Sequence, residues 1–254
     1  MSVAAIDINN PDSYPDALVG LMNENSELFF AYQDSEAEAL QSRLKGNLDY
    51  LCMRNKYSSE YSNFLETKLL SMVKKQSIFG WHFTRLTENE RNIIKIEGII
   101  PSSSNFLETR LTTLVESGML SASEKKSITE NSPLQNEQQR KSREGKFWFV
   151  SKKFPFNDGR VELLLNHWGG EVAYFWIHDE TLKTKLQQIG NAKVIEATVP
   201  IEMIKQAYSA SEAILANYLD PEKRYDINRE FDFYIEKPLA PELISFIPIE
   251  ELPS

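Results

Sequence analysis

The sequence has one cysteine, three histidines and no apolar run of the length a membrane-spanning helix needs. A lone Cys52 forms no internal disulfide. His82, His167 and His178 stand far apart without cysteine companions, so neither a structural zinc nor any other metal is expected. The N-terminal residues Met1 to Ile8 lack the basic and hydrophobic segments of a secretory signal, which reads as a soluble cytoplasmic protein with no membrane partner. No internal repeat is present. Basic residues are in deficit too, 28 Lys and Arg against 37 Asp and Glu, and the formal charge of -9 excludes a surface that grips nucleic acid all over. What remains is a chain of 254 residues, 41% hydrophobic, with enough apolar material for a sizeable core.

The most informative stretch runs from Phe79 to Pro101. Its first half alternates as a strand does, with Trp81, Phe83 and Arg85 on one face and His82, Thr84 and Leu86 on the other. Its second half changes period: Thr87 and Glu90 form a capping box, Ile93, Ile94 and Ile96 supply an apolar stripe, and Gly98 with Pro101 ends the helix. His82 and Thr84 are polar where a buried strand would carry valine or isoleucine, which suggests that their face lines a cleft. The plainer alternative is a core histidine bonded to a backbone carbonyl.

Before that stretch the pattern predicts a helical N-terminal region over 1–77. Residues up to about 35 have no clean period, a capping box at Ser35 and Glu38 opens a helix, and Leu40, Leu44, Leu48 and Leu51 continue it. After a break near Asn55, Tyr57, Tyr61, Phe64, Leu65, Leu69 and Val73 form a second stripe, assigned to packing. A second domain is predicted over 78–254. It contains a helix around Leu107 to Leu120, a polar segment 121–142 that reads as a long exposed loop, and an aromatic strand at Lys146–Ser151. Then follow a short helix at Arg160–Trp168 stopped by Gly169 and Gly170, a strand at Glu171–Ile177, a helix to Ile189, and a strand at Lys193–Ile201. A helix from Glu202 to about Leu219, a strand at Glu230–Glu236 and a final strand at Leu243–Ile249 complete it. From Gln139 to Lys153, six basic residues face Glu144 alone, a local charge of +5 that is either a solvated run or a patch for phosphates.

The succession of a strand with His82-Phe83-Thr84, a helix ending in Gly98-Ile-Ile-Pro101, an aromatic strand ending in Ser151 and a late strand opening on Glu230 resembles the ADP-ribosyltransferase fold, in its His-Tyr-Glu branch. The resemblance covers about residues 79–250 and implies an α+β domain with a split pair of small sheets, a split β-sandwich, behind the helical lead. It implies NAD as substrate, bound by His82, Phe83, Thr84, Trp148, Phe149 and Ser151, with His82 at a ribose and Phe149 stacked on nicotinamide. Phe149 stands where the branch has tyrosine. Glu230 falls at the position of the catalytic glutamate, and Glu171, directly after Gly169-Gly170, is the runner-up. The resemblance further implies transfer of ADP-ribose to a macromolecular acceptor, nucleic acid somewhat ahead of protein, met by Arg140, Lys141, Arg143, Lys223, Arg224 and Tyr225. A bacterial toxin or antiphage effector, with an antitoxin partner, would fit. A catalytically inactive binding or immunity module on the same fold is the alternative.

Overall fold

The structure is a computed structural model that describes residues 5–46, 48 and 53–253. In chain order come α1 (Asp16–Glu24), α2 (Ser26–Leu44), and α3 (Ser58–Asn63), which passes through a π-helical turn at Phe64–Leu69 into α4 (Leu70–Val73). Then β1 (Ser77–Leu86) leads to α5 (Glu88–Glu97), α6 (Phe106–Glu116), α7 (Ala122–Glu130) and α8 (Glu137–Arg143). After β2 (Phe147–Val150) come α9 (Glu162–Asn166), α10 (Glu171–Tyr174), α11 (Glu180–Gln188) and β3 (Asn191–Pro200). The chain closes with α12 (Ala207–Leu219), β4 (Asp232–Ile235) and β5 (Ile244–Ile247). Helix and sheet are mixed, as the α+β class requires. Among the described residues no helix is long and apolar enough to cross a membrane.

Two compact units divide this chain, 1–79 with 200–231 and 80–199 with 232–254. The first is helical and takes in α12 besides the lead that precedes β1. Phe64, Leu65, Leu69 and Val73 are buried in it, and they pack on α12, whose Ala210, Ile214 and Leu215 are buried in turn. At the end of α12 Asp220 is fully buried and saturated: it accepts from the backbone nitrogens of Arg224 and Tyr225 at 3.0 Å and from Arg229 at 2.5 Å. A buried carboxylate without such donors would cost several kcal/mol, roughly, so this loop is held by its charges. Two expectations about the lead are corrected. The capping box expected at Ser35 lies inside α2, which begins at Ser26 because Phe29 and Gln33 already bury a face there. Leu40, Leu44 and Leu48 are exposed, since nothing among the described residues covers them, while Leu51 and Cys52 lie outside the described residues.

The second unit holds one five-stranded sheet in the order β4-β2-β1-β3-β5, where the resemblance implied a split pair. β1 is long enough to be paired along both edges, so it joins what would otherwise be two ribbons. Trp81 stands opposite Val150, and Phe147, Trp148, Phe149 and Val150 stand opposite Ile235, Tyr234, Phe233 and Asp232. Beside the sheet a helical cluster buries Leu111, Ile128, Trp168 and Leu186 completely. Each such side chain contributes about 1.5–3 kcal/mol by leaving water.

That cluster explains where the sequence pattern misled. Residues 121–142 are not a loop: the capping box of Ser121 and Glu124 starts α7, which points Ile128 into the cluster, and Asn136 caps α8. Glu171–Ile177, expected as a strand, opens with the helical turn α10, because Gly169 and Gly170 adopt φ of +85° and +63° and turn the chain so that Ala173, Tyr174 and Ile177 reach the cluster. A side chain at Gly169 would place its Cβ 2.5 Å from that of Ala173.

Candidate active site on the central strands

β1 brings His82 to the middle of the sheet. Its Nδ1 lies 2.9 Å from the Trp148 carbonyl oxygen on β2, and its ring centroid is 4.4 Å from that of Phe147. Burial pushes the imidazole down to about 4; the Trp148 carbonyl opposes this and the charge of Arg110 adds to it. The ring is therefore neutral at pH 7, and Nδ1 carries the proton that it donates to the carbonyl. Nε2 is left as an acceptor with no protein donor among the described residues. The plainer expectation, a histidine tied to backbone, is thus half realised: one nitrogen is tied, and the residue is half-buried.

The register sorts the remaining candidates by face. Because Trp81 pairs with Val150, the side chains of His82, Thr84, Phe147 and Phe149 share the face on which Gly80 has no side chain, and Trp148 lies on the other. Trp148 and His82 therefore do not converge; the indole donates from Nε1 to the Ser142 carbonyl at 3.0 Å and rests 4.7 Å from Tyr234. Phe149 shares the right face but not the expected role. Its ring is 1% exposed and stacked on Phe233 at 5.4 Å, and both lean over Gly80, where a Cβ would come within 2.5 Å of Phe233 and 3.1 Å of Phe149. It is a core side chain without a face to offer nicotinamide. Phe83 is likewise buried, 6.3 Å from Phe154. Thr84 and Ser151 are buried as well. Phe147, half-buried against His82, is the aromatic on this face that keeps exposed surface.

Of the two carboxylates, Glu230 is half-buried in the first unit, two residues before β4, so the strand expected to open on it begins at Asp232 instead. Glu171 opens α10 and is paired with Arg143, Nη2 to Oε2 at 2.7 Å. Part of the basic run meets acidic neighbours: Lys141 pairs with Glu137 at 2.6 Å and Arg140 lies 3.9 Å from Glu144. Counting from Gln139 missed Glu137, one turn earlier on α8, and Glu171, distant in sequence. In the first unit Arg224 bonds Asp220 and lies over the Phe30 ring, and the Tyr225 hydroxyl donates to Asp34 at 2.6 Å. Both are committed to that unit's own structure. Lys223 is exposed, with φ of +55°.

One cluster escaped the sequence reading. Glu90 Oε2 accepts from the Thr87 backbone nitrogen at 2.8 Å, the Thr87 hydroxyl at 3.0 Å and Trp168 Nε1 at 3.0 Å, while Oε1 accepts from Arg110 Nε at 2.6 Å. The Arg110 guanidinium lies 4.5 Å from the Trp168 ring centroid and 5.1 Å from that of Phe106. Burial alone would push Glu90 up, but Arg110, Thr87 and Trp168 outweigh it and hold the carboxyl below its ordinary range. Thr87 and Glu90 signalled a helix cap; nothing in the spacing signalled Arg110 or Trp168. Through its charge on His82, this cluster reaches the face described above. Among the described residues no group of three His, Cys, Asp or Glu side chains is arranged to hold a metal. No family model, curated protein or solved structure matches the chain.

Proposed function

We propose that this chain is an NAD-dependent ADP-ribosyltransferase acting on a macromolecular acceptor, of the toxin or antiphage-effector type, and that its sheet is the split β-sandwich of that fold joined through β1. The observation that carries the reading is His82: neutral, tied by Nδ1 to β2, with Nε2 directed by that bond to accept from a hydroxyl such as that of a ribose. A second support is the strand order, which sets the strand bearing His82, the aromatic strand and the strand that follows Glu230 side by side. The aromatic contact to nicotinamide moves from Phe149 to Phe147, which keeps a partly open ring beside His82.

The chemistry follows from charge. Breaking the bond between the nicotinamide nitrogen and the ribose sends the electron pair to nicotinamide and leaves positive charge on the ribose ring. A carboxylate that accepts from a ribose hydroxyl stabilises this state more than the ground state, and Glu230 is the residue to which the resemblance assigns that role. An acceptor oxygen or nitrogen then forms its bond to the ribose carbon and releases its proton to solvent, nicotinamide having left with the electron pair of the broken bond. His82 and Phe147 hold and orient NAD without reacting. Because Arg140 and Lys141 face acidic neighbours, nucleic acid loses its small lead, and protein stands level with it as acceptor.

The test is release of nicotinamide from NAD by the purified protein, with RNA, DNA and protein offered as acceptors. Glu230→Gln should slow release by roughly 10²-fold while NAD still binds, and His82→Ala should weaken NAD binding without unfolding the chain. The packing of Phe149 against Phe233 favours one other reading, a non-catalytic module. Absence of release by the parent protein with every acceptor would establish it.

A further inference from the structure

The sheet ends on one side at β5, a four-residue strand whose inner edge is paired with β3 through Ile195 opposite Phe246 and Glu196 opposite Ser245. Beyond that ladder, residues Ile244–Ile247 make no backbone hydrogen bond among the described residues. Alternate N–H and C=O groups along the outer edge are therefore open, which is the condition under which another extended chain can add to a sheet.

Alongside runs a groove of about 310 Å³ within the second unit. Arg91, Ile94 and Lys95 of α5 form one wall, and Pro241, Ile244 and Phe246 form the other. Ser245 also lines it, so the apolar side chains of Ile94, Pro241, Ile244 and Phe246 are set among a hydroxyl and two cations. Arg91 lies over the Phe246 ring at 5.6 Å and meets Glu88 at 3.1 Å, yet its Nε is buried without an acceptor, so the guanidinium is not saturated. Lys95 is exposed and has no ion pair among the described residues. Lys95 without an ion pair, and Arg91 beside it, on the rim of a groove next to an open strand edge, define the occupant by complementarity. Its backbone pairs with β5, its apolar side chains lie on Ile94, Ile244 and Phe246, and its carboxylates meet Arg91 and Lys95. A nucleic acid would leave the strand edge unpaired, and a second copy of a chain with charge -9 would have to bring an acidic strand of its own.

We propose that the groove between α5 and β5 is a docking site for an extended acidic segment of a partner protein, bound by strand addition to β5.

A fluorescein-labelled peptide alternating glutamate and valine serves as probe, its lysine-valine counterpart as control, and the full chain as target. In fluorescence anisotropy the acidic peptide should bind at least about tenfold more tightly than the basic one, and more weakly as salt rises. Amide exchange should slow within Ile244–Ile247. Lys95→Glu, an exposed change that leaves the fold alone, should weaken binding by about tenfold, roughly the effect of reversing one charge at a partly desolvated contact. The proposal is overturned if both peptides bind alike, if Lys95→Glu leaves affinity unchanged, if the amides of β5 stay unprotected on binding, if neither peptide binds, or if an RNA oligonucleotide competes for the same site.

Discussion

Glu90 and Glu171 both lie in the second unit and both meet an arginine, at 2.6 Å from Arg110 and 2.7 Å from Arg143. By distance the two pairs are the same. By solvation they are opposites: side-chain exposure is 14% and 16% for Arg110 and Glu90, but 25% and 48% for Arg143 and Glu171. Glu90 has four donors and Arg110 lies against two aromatic rings, whereas the Glu171 side chain is 48% exposed to solvent. Removing either partner of the buried pair leaves a charge stranded away from water; removing Glu171 leaves Arg143 hydrated. A short ion pair thus says little until the surroundings of both groups are known. The saturated carboxylate is architecture, and the hydrated one is free to be useful or idle.

The sharpest break of that comparison is Glu90→Ala. It strands Arg110, removes the acceptor for Trp168 and uncaps α5, and should cost about 3–5 kcal/mol in urea unfolding at neutral pH. Glu90 is also held below its ordinary range, so the unfolded chain takes up its proton at a higher pH than the folded one. The associated stability is complete above the unfolded value and is lost as pH falls through the folded one. In Glu90→Gln that part of the acid sensitivity should vanish. Equal losses for Glu90→Ala and Glu171→Ala would end the distinction between the pairs.

How much of this was legible in the residues themselves depends on how far apart the partners lie. β1 and the start of α5 follow from alternation at Phe79–Leu86 and from the Thr87 and Glu90 box, both local signals. The saturation of Glu90 depends on Arg110 and Trp168, 20 and 78 residues away, and no local pattern carries it. Segment 121–142 looked like a loop because it buries little beyond Ile128, Ser132 and Pro133, so polar residues swamp the period. Glu171–Ile177 looked like a strand because Val172, Tyr174, Phe175 and Trp176 suit one, yet a helical turn after two left-handed glycines buries Tyr174 and leaves Phe175 and Trp176 exposed. Phe149 illustrates the limit for the candidate site. An aromatic ring on a strand reads the same whether it faces a ligand or a second phenylalanine, and only the pairing with Phe233 on β4 decides.

A smaller test refines the buried pair without dismantling it. Trp168→Phe keeps most of the ring that packs beneath Arg110 but removes the Nε1 donor to Glu90, leaving the carboxylate short by one hydrogen bond. A hydrogen bond to a charged group contributes about 1.5–3 kcal/mol, so the loss should be real but clearly below that of Glu90→Ala. Thermal unfolding of the two variants side by side gives the ordering. A loss as large as that of Glu90→Ala would mean that packing of the indole, and not saturation of the carboxylate, sets the stability of this cluster.

The smallest effect on stability is expected at Glu171, and it is the one that bears on function. Glu171→Gln should change unfolding free energy by less than about 1 kcal/mol, because an exposed pair is screened and replaced by water, and raising salt should shrink even that difference. Nicotinamide release gives an independent reading of the same variant. If Glu230 is the catalytic carboxylate, Glu171→Gln leaves release close to that of the parent, and the Arg143 pair merely fastens α8 to α10. A large loss of release in Glu171→Gln, with stability unchanged and Glu230→Gln active, would move catalysis to the carboxylate behind the two glycines. Its exposure would then be the reason it was available for chemistry.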